Sequence, residues 1–400
     1  MPSHIRCEPG WRCVRVAGPI DFTEIGVLAS LVGSLAEKGI SVFALSTFDT
    51  DYLFVKEGDL ERATEALREV GLDLATLRRE DTVKIVVLDG YTLAADGNSW
   101  DALCQLGDLE VYDRSSEVEV VARSLHATVL VTNKAPVRAV AIEQASHLRL
   151  IAVSATGHDC VDLVAARQRG IAVANVPEYG TQSVAQFVFA LLLELCHHVG
   201  LHAEAVRAGE WSRSPEFCFW KTPLMELSGK TMGIVGFGRI GRRVGEIAHS
   251  FGMEVLACSR SRSAPPAYPS FAWVELEELL ARADVITLHC PLTAETAGLV
   301  NRQRLRLVKP GAFLINTSRG GLVVEEDLAE ALDAGRLAGA AVDVVSREPI
   351  RPDNPLLGAR NCLLTPHIAW ATCEARQRLL DATIANVASF LAGRPTNLGH

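Results

Sequence analysis

The chain has no apolar run long enough to cross a membrane. Its longest, around Phe187–Leu193, meets charge well short of the ~20 residues a spanning helix needs. The opening stretch, MPSHIRCEPGWRCVRV, lacks the uninterrupted apolar core of a secretory leader. There is no surplus of positive charge. Against 39 Lys+Arg stand 48 Asp+Glu, a formal net charge of −9, which disfavours a general affinity for nucleic acid or anionic membrane. Cysteine occurs 10 times, yet never as CxxC and never at zinc-finger spacing with histidine. The expectation is reduced, mostly buried thiols in a cytoplasmic protein, with no metal site. Glycine (31) and proline (17) are near average, which excludes fibrous and low-complexity classes. What is present is a folded-protein balance of 48% hydrophobic and 22% charged residues. At 400 residues the chain predicts two or three domains.

Residues 1–82 read differently from the rest. Arg12–Gly18 and Ile40–Phe48 predict strands, with a helix between them marked by Ile25, Leu28, Leu31 and Leu35. Asp21 and Glu24 stand three apart, like a helix cap with its reciprocal glutamate. A third strand, Tyr52–Lys56, follows the turn Ser46–Asp51, and Leu60, Ala63, Leu67 and Val70 mark a second helix. The order β-α-β-β-α is the start of a ferredoxin-like α+β unit. From Lys84 onward, short aliphatic runs alternate with helical stretches, which predicts α/β architecture with doubly wound parallel sheets. A second such series begins at Thr231 and runs to about Pro366. A last helix, about Thr372–Leu391, follows.

That second series opens with a strand, Thr231–Val235, then Gly236-Phe237-Gly238-Arg239-Ile240-Gly241, then a helix and another strand ending near Cys258. GxGxxG in this setting predicts dinucleotide binding. Gly236 permits the tight turn, Gly238 admits a pyrophosphate to the backbone, and Gly241 lets helix and strand pack closely. The helix N-terminus favours the phosphate charge. An acid closing the second strand would accept from a ribose 2′-OH, but the residues there are Ser259 and Arg260. Arg260 suits a 2′-phosphate, so NADP is favoured over NAD and dual use stays open.

Three more segments end strands of the same series. They carry Arg319, Glu348 and His367, each just beyond an apolar run. Singly, each has an ordinary reading as a surface ion pair, a solvated acid or a packed histidine. Together they suit reduction of a 2-oxo acid. His supplies a proton donor that works near neutrality, a carboxylate fixes its tautomer, and a guanidinium holds the substrate's carboxylate and polarises its carbonyl.

At these residues the sequence resembles the D-isomer-specific 2-hydroxyacid dehydrogenases, over roughly residues 84–395. The matching motifs are GFGRIG (236–241), HCPLTAET (289–296), NTSRGG (316–321), VDVVSREP (342–349) and TPHIAWAT (365–372). The resemblance implies Arg319 as substrate clamp, His367 as acid/base and Glu348 as its partner. It implies Asp343 near the nicotinamide amide, and Cys290, Pro291, Thr296 and Thr317 along the cofactor with Arg239, Ile240 and the three glycines. Thr156 and Gly157 look like the family's carboxylate-binding turn, and Asn133 with Lys134 would face the substrate. DGYTL (89–93), TNKAP (132–136) and NVPEYGTQSVAQ (175–186) resemble the hydroxypyruvate reductase, or glycerate dehydrogenase, branch. The implied reaction interconverts hydroxypyruvate and D-glycerate, with glyoxylate as a second substrate. Phosphoglycerate dehydrogenase and a non-catalytic dinucleotide sensor are the alternatives.

The resemblance also implies the domain plan. Residues 83–184, completed by 371–400, would form the substrate lobe and 185–370 the NAD(P) lobe, with dimerisation through the latter. Residues 10–31 and 40–63 resemble one half of a two-part ACT-type domain. That implies either an amino-acid effector site at the Ser46–Asp51 turn or a packing module without ligand.

Overall fold

Short apolar and β-branched runs of three to six residues make the strands here, and most are followed by a turn and an amphipathic stretch that covers the sheet. The computed structural model describes residues 10–15, 26–46, 51–69, 83–94, 99–262 and 264–399. Contacts divide the chain into two units, Met1–Thr82 and Val83–His400.

In the first unit β1 (Trp11–Arg15), β2 (Val42–Ser46) and β3 (Asp51–Lys56) form an antiparallel sheet in the order β1-β3-β2. Helices α1 (Val27–Glu37) and α2 (Leu60–Glu69) pack on it. Leu31, Leu35, Ala63 and Leu67 from the helices meet Leu53 and Val55 from β3 in one core. Setting the third strand between the first two is the split β-α-β arrangement. The expected Asp21–Glu24 cap, residues 16–18 and 47–48 of the expected strands, and most of the 46–51 turn lie outside the described residues.

The second unit holds two parallel sheets. In the first, β4 (Lys84–Val87), β5 (Asp108–Val111), β6 (Val129–Thr132), β7 (Leu150–Val153) and β8 (Ala172–Ala174) run in the order β5-β4-β6-β7-β8. Helices α4 (Glu117–Ser124), α5 (Ala139–Gln144) and α6 (Leu163–Gln168) bury Val120, Ile142 and Ala166 on one face. The other face takes the short α3 (Asp101–Cys104) and, from the far end of the chain, α13 (Cys373–Leu391). Val387 of α13 joins Ile85, Val129 and Leu150 there.

The second parallel sheet has seven strands. These are β9 (Thr231–Val235), β10 (Glu254–Cys258), β11 (Phe271–Trp273), β12 (Val285–Leu288), β13 (Phe313–Asn316), β14 (Gly339–Val342) and β15 (Cys362–Leu364), ordered β11-β10-β9-β12-β13-β14-β15. Helices α10 (Leu276–Arg282), α11 (Arg302–Leu305) and α12 (Glu325–Asp333) close one face through Leu279, Leu305 and Leu328. The apolar α7 (Thr181–His197) and α9 (Arg239–Ser250) close the other. Helix α8 (Val199–Arg207) continues from α7 after a 56° bend at His198, and no single helix among the described residues is long and apolar enough to span a membrane. The strand order reverses between β9 and β12, so a ligand crevice is expected beyond the carboxyl ends of those strands.

Candidate active site

The crevice at the reversal point is shaped by backbone. Gly236 takes φ +95°, and a side chain there would collide with the amide of Cys290 in the loop after β12. Gly241 lies against the carbonyl of Gly236, with no room for a Cβ, whereas Gly238, the residue capping α9, faces open space. Turn, close packing and open approach are therefore each where a dinucleotide needs them. Thr317, just past β13, buries its Oγ1 with no hydrogen-bond partner among the described residues, an unsatisfied group that a polar ligand can complete.

The other expected cofactor residues fall into distinct roles. Ser318 Oγ donates to the Cys290 carbonyl at 2.8 Å, tying that loop to the one carrying Arg319. Thr296 Oγ1 donates to Pro291 O at 2.7 Å and accepts from Thr293 N–H, bracing the Cys290-Pro291 turn. Burial pushes the Cys290 thiol up. Ile240 is half-buried against the α7 side of the sheet. The Arg239 side chain turns towards the first sheet, pairing with Glu178 at 2.9 Å and donating to Pro177 O. Ser259 is half-buried. Arg260 is exposed and makes no hydrogen bond or ion pair with a described residue, while Arg262 is taken by Glu275.

His367 follows β15 in the left-handed region, φ +55°. Its Nδ1 lies 2.7 Å from Glu348 Oε2, and its Nε2 has no partner among the described residues. Burial raises Glu348, but the His367 hydrogen bond, with the charges of His367 and Lys134, holds its carboxyl below the usual range. The Arg319 and Glu348 loops touch directly: a Cβ on Gly320 would overlap the Val345 carbonyl. Arg319 is half-exposed. Its Nη1 donates to Ser318 O at 2.8 Å, and its Nε sits a loose 3.8 Å from the exposed carboxylate of Asp159.

The first sheet brings its own loop to this point. A Cβ on Gly157 would overlap Arg319 Nη2, so the expected carboxylate turn and the expected clamp are in contact. Thr156 is committed elsewhere, its Oγ1 donating to Val176 O at 2.8 Å. Lys134 is exposed near Glu348. Asn133 turns inward instead: it is 4% exposed, and its Nδ2 donates to Ser154 O at 2.5 Å. An amide facing substrate would need that donor free. Tyr179 packs edge-on against Trp370, 6.2 Å between centroids, and burial pushes its hydroxyl up to about 12 while the Arg319 charge pulls it down.

Three carboxylates that the sequence reading gave no positioning role pin these loops. Asp89 accepts from the N–H groups of Asn133, Lys134 and Ala135 at 2.5–2.7 Å. Glu325 accepts from Ser346 N–H, Ser346 Oγ and Asn354 Nδ2 at 2.6–2.9 Å, anchoring the Glu348 loop. Asp343, 1% exposed, accepts from Thr365 Oγ1 and from the N–H groups of Ile368 and Ala369, while its carbonyl accepts from His367 N–H at 2.8 Å. Its carboxyl is pushed up by burial, against the pull of those bonds. Sequence spacing gave no sign of these closures, which join residues 21–46 positions apart.

Comparison with known proteins identifies the family. Residues 189–369 match the D-isomer specific 2-hydroxyacid dehydrogenase, NAD binding domain, and residues 6–69 match an ACT domain. The chain is 49% identical over 319 residues to a hydroxypyruvate reductase of Blautia hydrogenotrophica, covering 79% of this chain and 99% of that one. It is 39% identical, with the same coverage, to a glycerate dehydrogenase of Methylorubrum extorquens. Among solved structures, an acyclic imino acid reductase in complex with NADPH and D-Arg is 32% identical at a TM-score of 0.70, over 80% of this chain and 100% of that one. The chain belongs to the D-isomer-specific 2-hydroxyacid dehydrogenases, with an ACT domain ahead of the dehydrogenase in sequence.

Proposed function

We propose that His367, Glu348 and Arg319 are the machinery by which this enzyme reduces hydroxypyruvate to D-glycerate, and glyoxylate to glycolate. The 2.7 Å bond between His367 Nδ1 and Glu348 carries the reading. It assigns the ring's donor proton on Nδ1 to the carboxylate and leaves Nε2 to serve the substrate. The Arg319 guanidinium and the backbone at Thr156–Gly157 hold the substrate carboxylate, and Arg319 polarises the carbonyl oxygen. Gly236–Gly241, Cys290-Pro291 and Thr317 would hold a reduced nicotinamide dinucleotide, which would supply the hydride. As negative charge grows on the carbonyl oxygen, His367 Nε2–H delivers the proton, and Glu348 stabilises the protonated ring. Lys134 adds positive charge beside this site and favours an anionic substrate.

The unpaired Arg260 supports NADP as the preferred dinucleotide, because its guanidinium is free for a 2′-phosphate while Arg262 is not. The ACT domain carries either a packing role or an amino-acid site. Calorimetry with the common amino acids separates the two, since heat together with a kinetic effect establishes an effector. The reaction itself is tested by coenzyme oxidation with hydroxypyruvate, glyoxylate and phosphohydroxypyruvate. The first two should turn over. Turnover with the phosphorylated acid alone would transfer the enzyme to the phosphoglycerate dehydrogenase class.

A further inference from the structure

We propose that Asn175, Asn386 and Asn397 form a positioning relay through which the C-terminal segment 396–399 holds the carboxylate turn at Thr156–Gly157. The proposal rests on the reading of that turn as the substrate-carboxylate site. The relay starts at the turn itself. Asn175 Nδ2 donates to Thr156 O at 2.7 Å, and Val176 N–H donates to Ala155 O at 3.0 Å. With the Thr156 Oγ1 bond to Val176 O, the turn is fixed on both sides by residues just past β8.

Asn175 is itself held by residues far along the chain. Its N–H donates to Asn397 O at 3.0 Å, and its carbonyl accepts from Asn386 Nδ2 at 2.9 Å. Asn386 lies on α13 and is 2% exposed. Its Oδ1 accepts from Asn397 Nδ2 at 2.9 Å and from Thr396 Oγ1 at 3.2 Å. Asn397 adopts φ +55°, a conformation asparagine tolerates better than most residues. Leu398 then bridges antiparallel to Ala174, and Gly399 N–H donates to Val173 O at 2.8 Å. The tail thus pairs with the edge of β8 through one isolated antiparallel bridge and the Gly399 bond.

Such edge pairing alone needs no buried asparagine. A buried amide is costly unless its donors and acceptor are paired. Here the paired amides converge on one residue, Asn175, and its side chain reaches beyond the sheet to the carbonyl of Thr156. The next residue in that turn, Gly157, lies against Arg319. An error of about 1 Å in aiming the turn is enough to cost on the order of 10²-fold in kcat/KM, here through weaker hold on the substrate carboxylate.

The test compares Asn175→Ala, Asn386→Ala and a chain ending at Pro395 with the 400-residue chain, and adds Arg319→Gln as reference. KM for hydroxypyruvate, kcat, dinucleotide Kd by fluorescence, and Tm are read for each. The relay predicts KM raised about tenfold or more in all three, with kcat and dinucleotide Kd within about twofold. Asn397→Gly, which keeps the left-handed turn and removes only the side-chain bond, should show a smaller rise of the same kind and stands in for any variant that does not fold. An unchanged KM in folded variants, with Arg319→Gln raising it, overturns the relay and leaves the carboxylate reading intact. Equal losses of KM, dinucleotide affinity and Tm reduce the asparagines to general support and overturn it as well. If Arg319→Gln also leaves KM unchanged, the carboxylate reading itself fails and takes the relay with it.

Discussion

Gly157 and Arg319 come from different sheets and touch: the guanidinium Nη2 occupies the space that a side chain on Gly157 would fill. Gly157→Ala therefore meets the tip of a flexible side chain rather than backbone. The fold should yield cheaply, by less than about 0.5 kcal/mol. The clamp, however, is displaced from the substrate carboxylate. KM for hydroxypyruvate should rise by roughly 10–100-fold with little change in Tm. Unaltered kinetics in Gly157→Ala would separate the turn from the substrate.

His367→Ala removes the proton donor. The loss in kcat should be about 10²–10⁴-fold, with dinucleotide affinity retained. Glu348→Gln keeps a hydrogen-bonding group of the same size but loses the charge that steadies the protonated ring. Its kcat should fall by less than in His367→Ala, and its reductive pH profile should move to lower pH. A profile identical to wild type would argue against the pairing seen at 2.7 Å.

Asp343→Ala leaves the Thr365 hydroxyl and the N–H groups of Ile368 and Ala369 without their acceptor. Each stranded buried donor costs about 1–3 kcal/mol. A Tm drop of several degrees together with a kcat loss is expected, because the loop that releases is the one holding His367 in its left-handed conformation. Thr365→Val removes one of the three bonds and should show a smaller effect in both. Full activity and Tm in Asp343→Ala would show that the loop holds its shape unaided.

His289, between β12 and the dinucleotide crevice, bonds Thr287 Oγ1 through Nε2 at 2.9 Å and buries Nδ1 without a described partner. Burial lowers it to about 3. Below the ordinary value near 6.5, the unfolded chain takes up a proton that the folded one refuses. Stability should then fall as pH drops from about 6.5 towards 3, by up to about 1.4 kcal/mol per unit. Glu348 adds to the loss further down. Its lowered carboxyl contributes stability above about 4.5, lost as pH falls through its folded value. Denaturant melts across pH 4–7 check this, and His289→Gln should flatten the upper part of the slope. An unchanged slope in His289→Gln would contradict the assignment.

Arg260→Ala tests coenzyme choice. KM for NADPH should rise by about tenfold or more while KM for NADH stays within about twofold, since only the former carries the 2′-phosphate. Equal changes for both would remove Arg260 from the preference.

Much of this molecule was legible in its sequence, for physical reasons. Gly236, Gly238 and Gly241 each serve a local backbone need, and a strand before and a helix after define that need. Arg319, Glu348 and His367 each stand just past an apolar run, where a parallel sheet presents its ligand-facing ends. The long-range pins were not legible. Asp89 reaches 44–46 residues to its loop, Glu325 reaches 21–29, and Asn386 joins Asn175 across 211. Spacing rules describe neighbours on one helix or strand and carry no information about such closures. Asn133 shows the same limit from the other side: a polar residue in a turn reads as outward, yet the Ser154 carbonyl of the next strand's loop draws it in. Strand ends moved by one or two residues, as with Ile171–Ala174 against the observed Ala172–Ala174, because terminal pairs fray.

The central claim is that His367, poised by Glu348, protonates a 2-oxo acid held by Arg319. The most direct measurement is single-turnover oxidation of NADPH or NADH by hydroxypyruvate in the wild type, His367→Ala and Arg319→Gln, with dinucleotide Kd measured alongside. The account predicts rapid oxidation in the wild type, a rate constant reduced about 10²–10⁴-fold in His367→Ala, and a weakened hydroxypyruvate dependence in Arg319→Gln, all at unchanged dinucleotide affinity. Wild-type rates in His367→Ala, or no oxidation by the wild type despite tight dinucleotide binding, would contradict it.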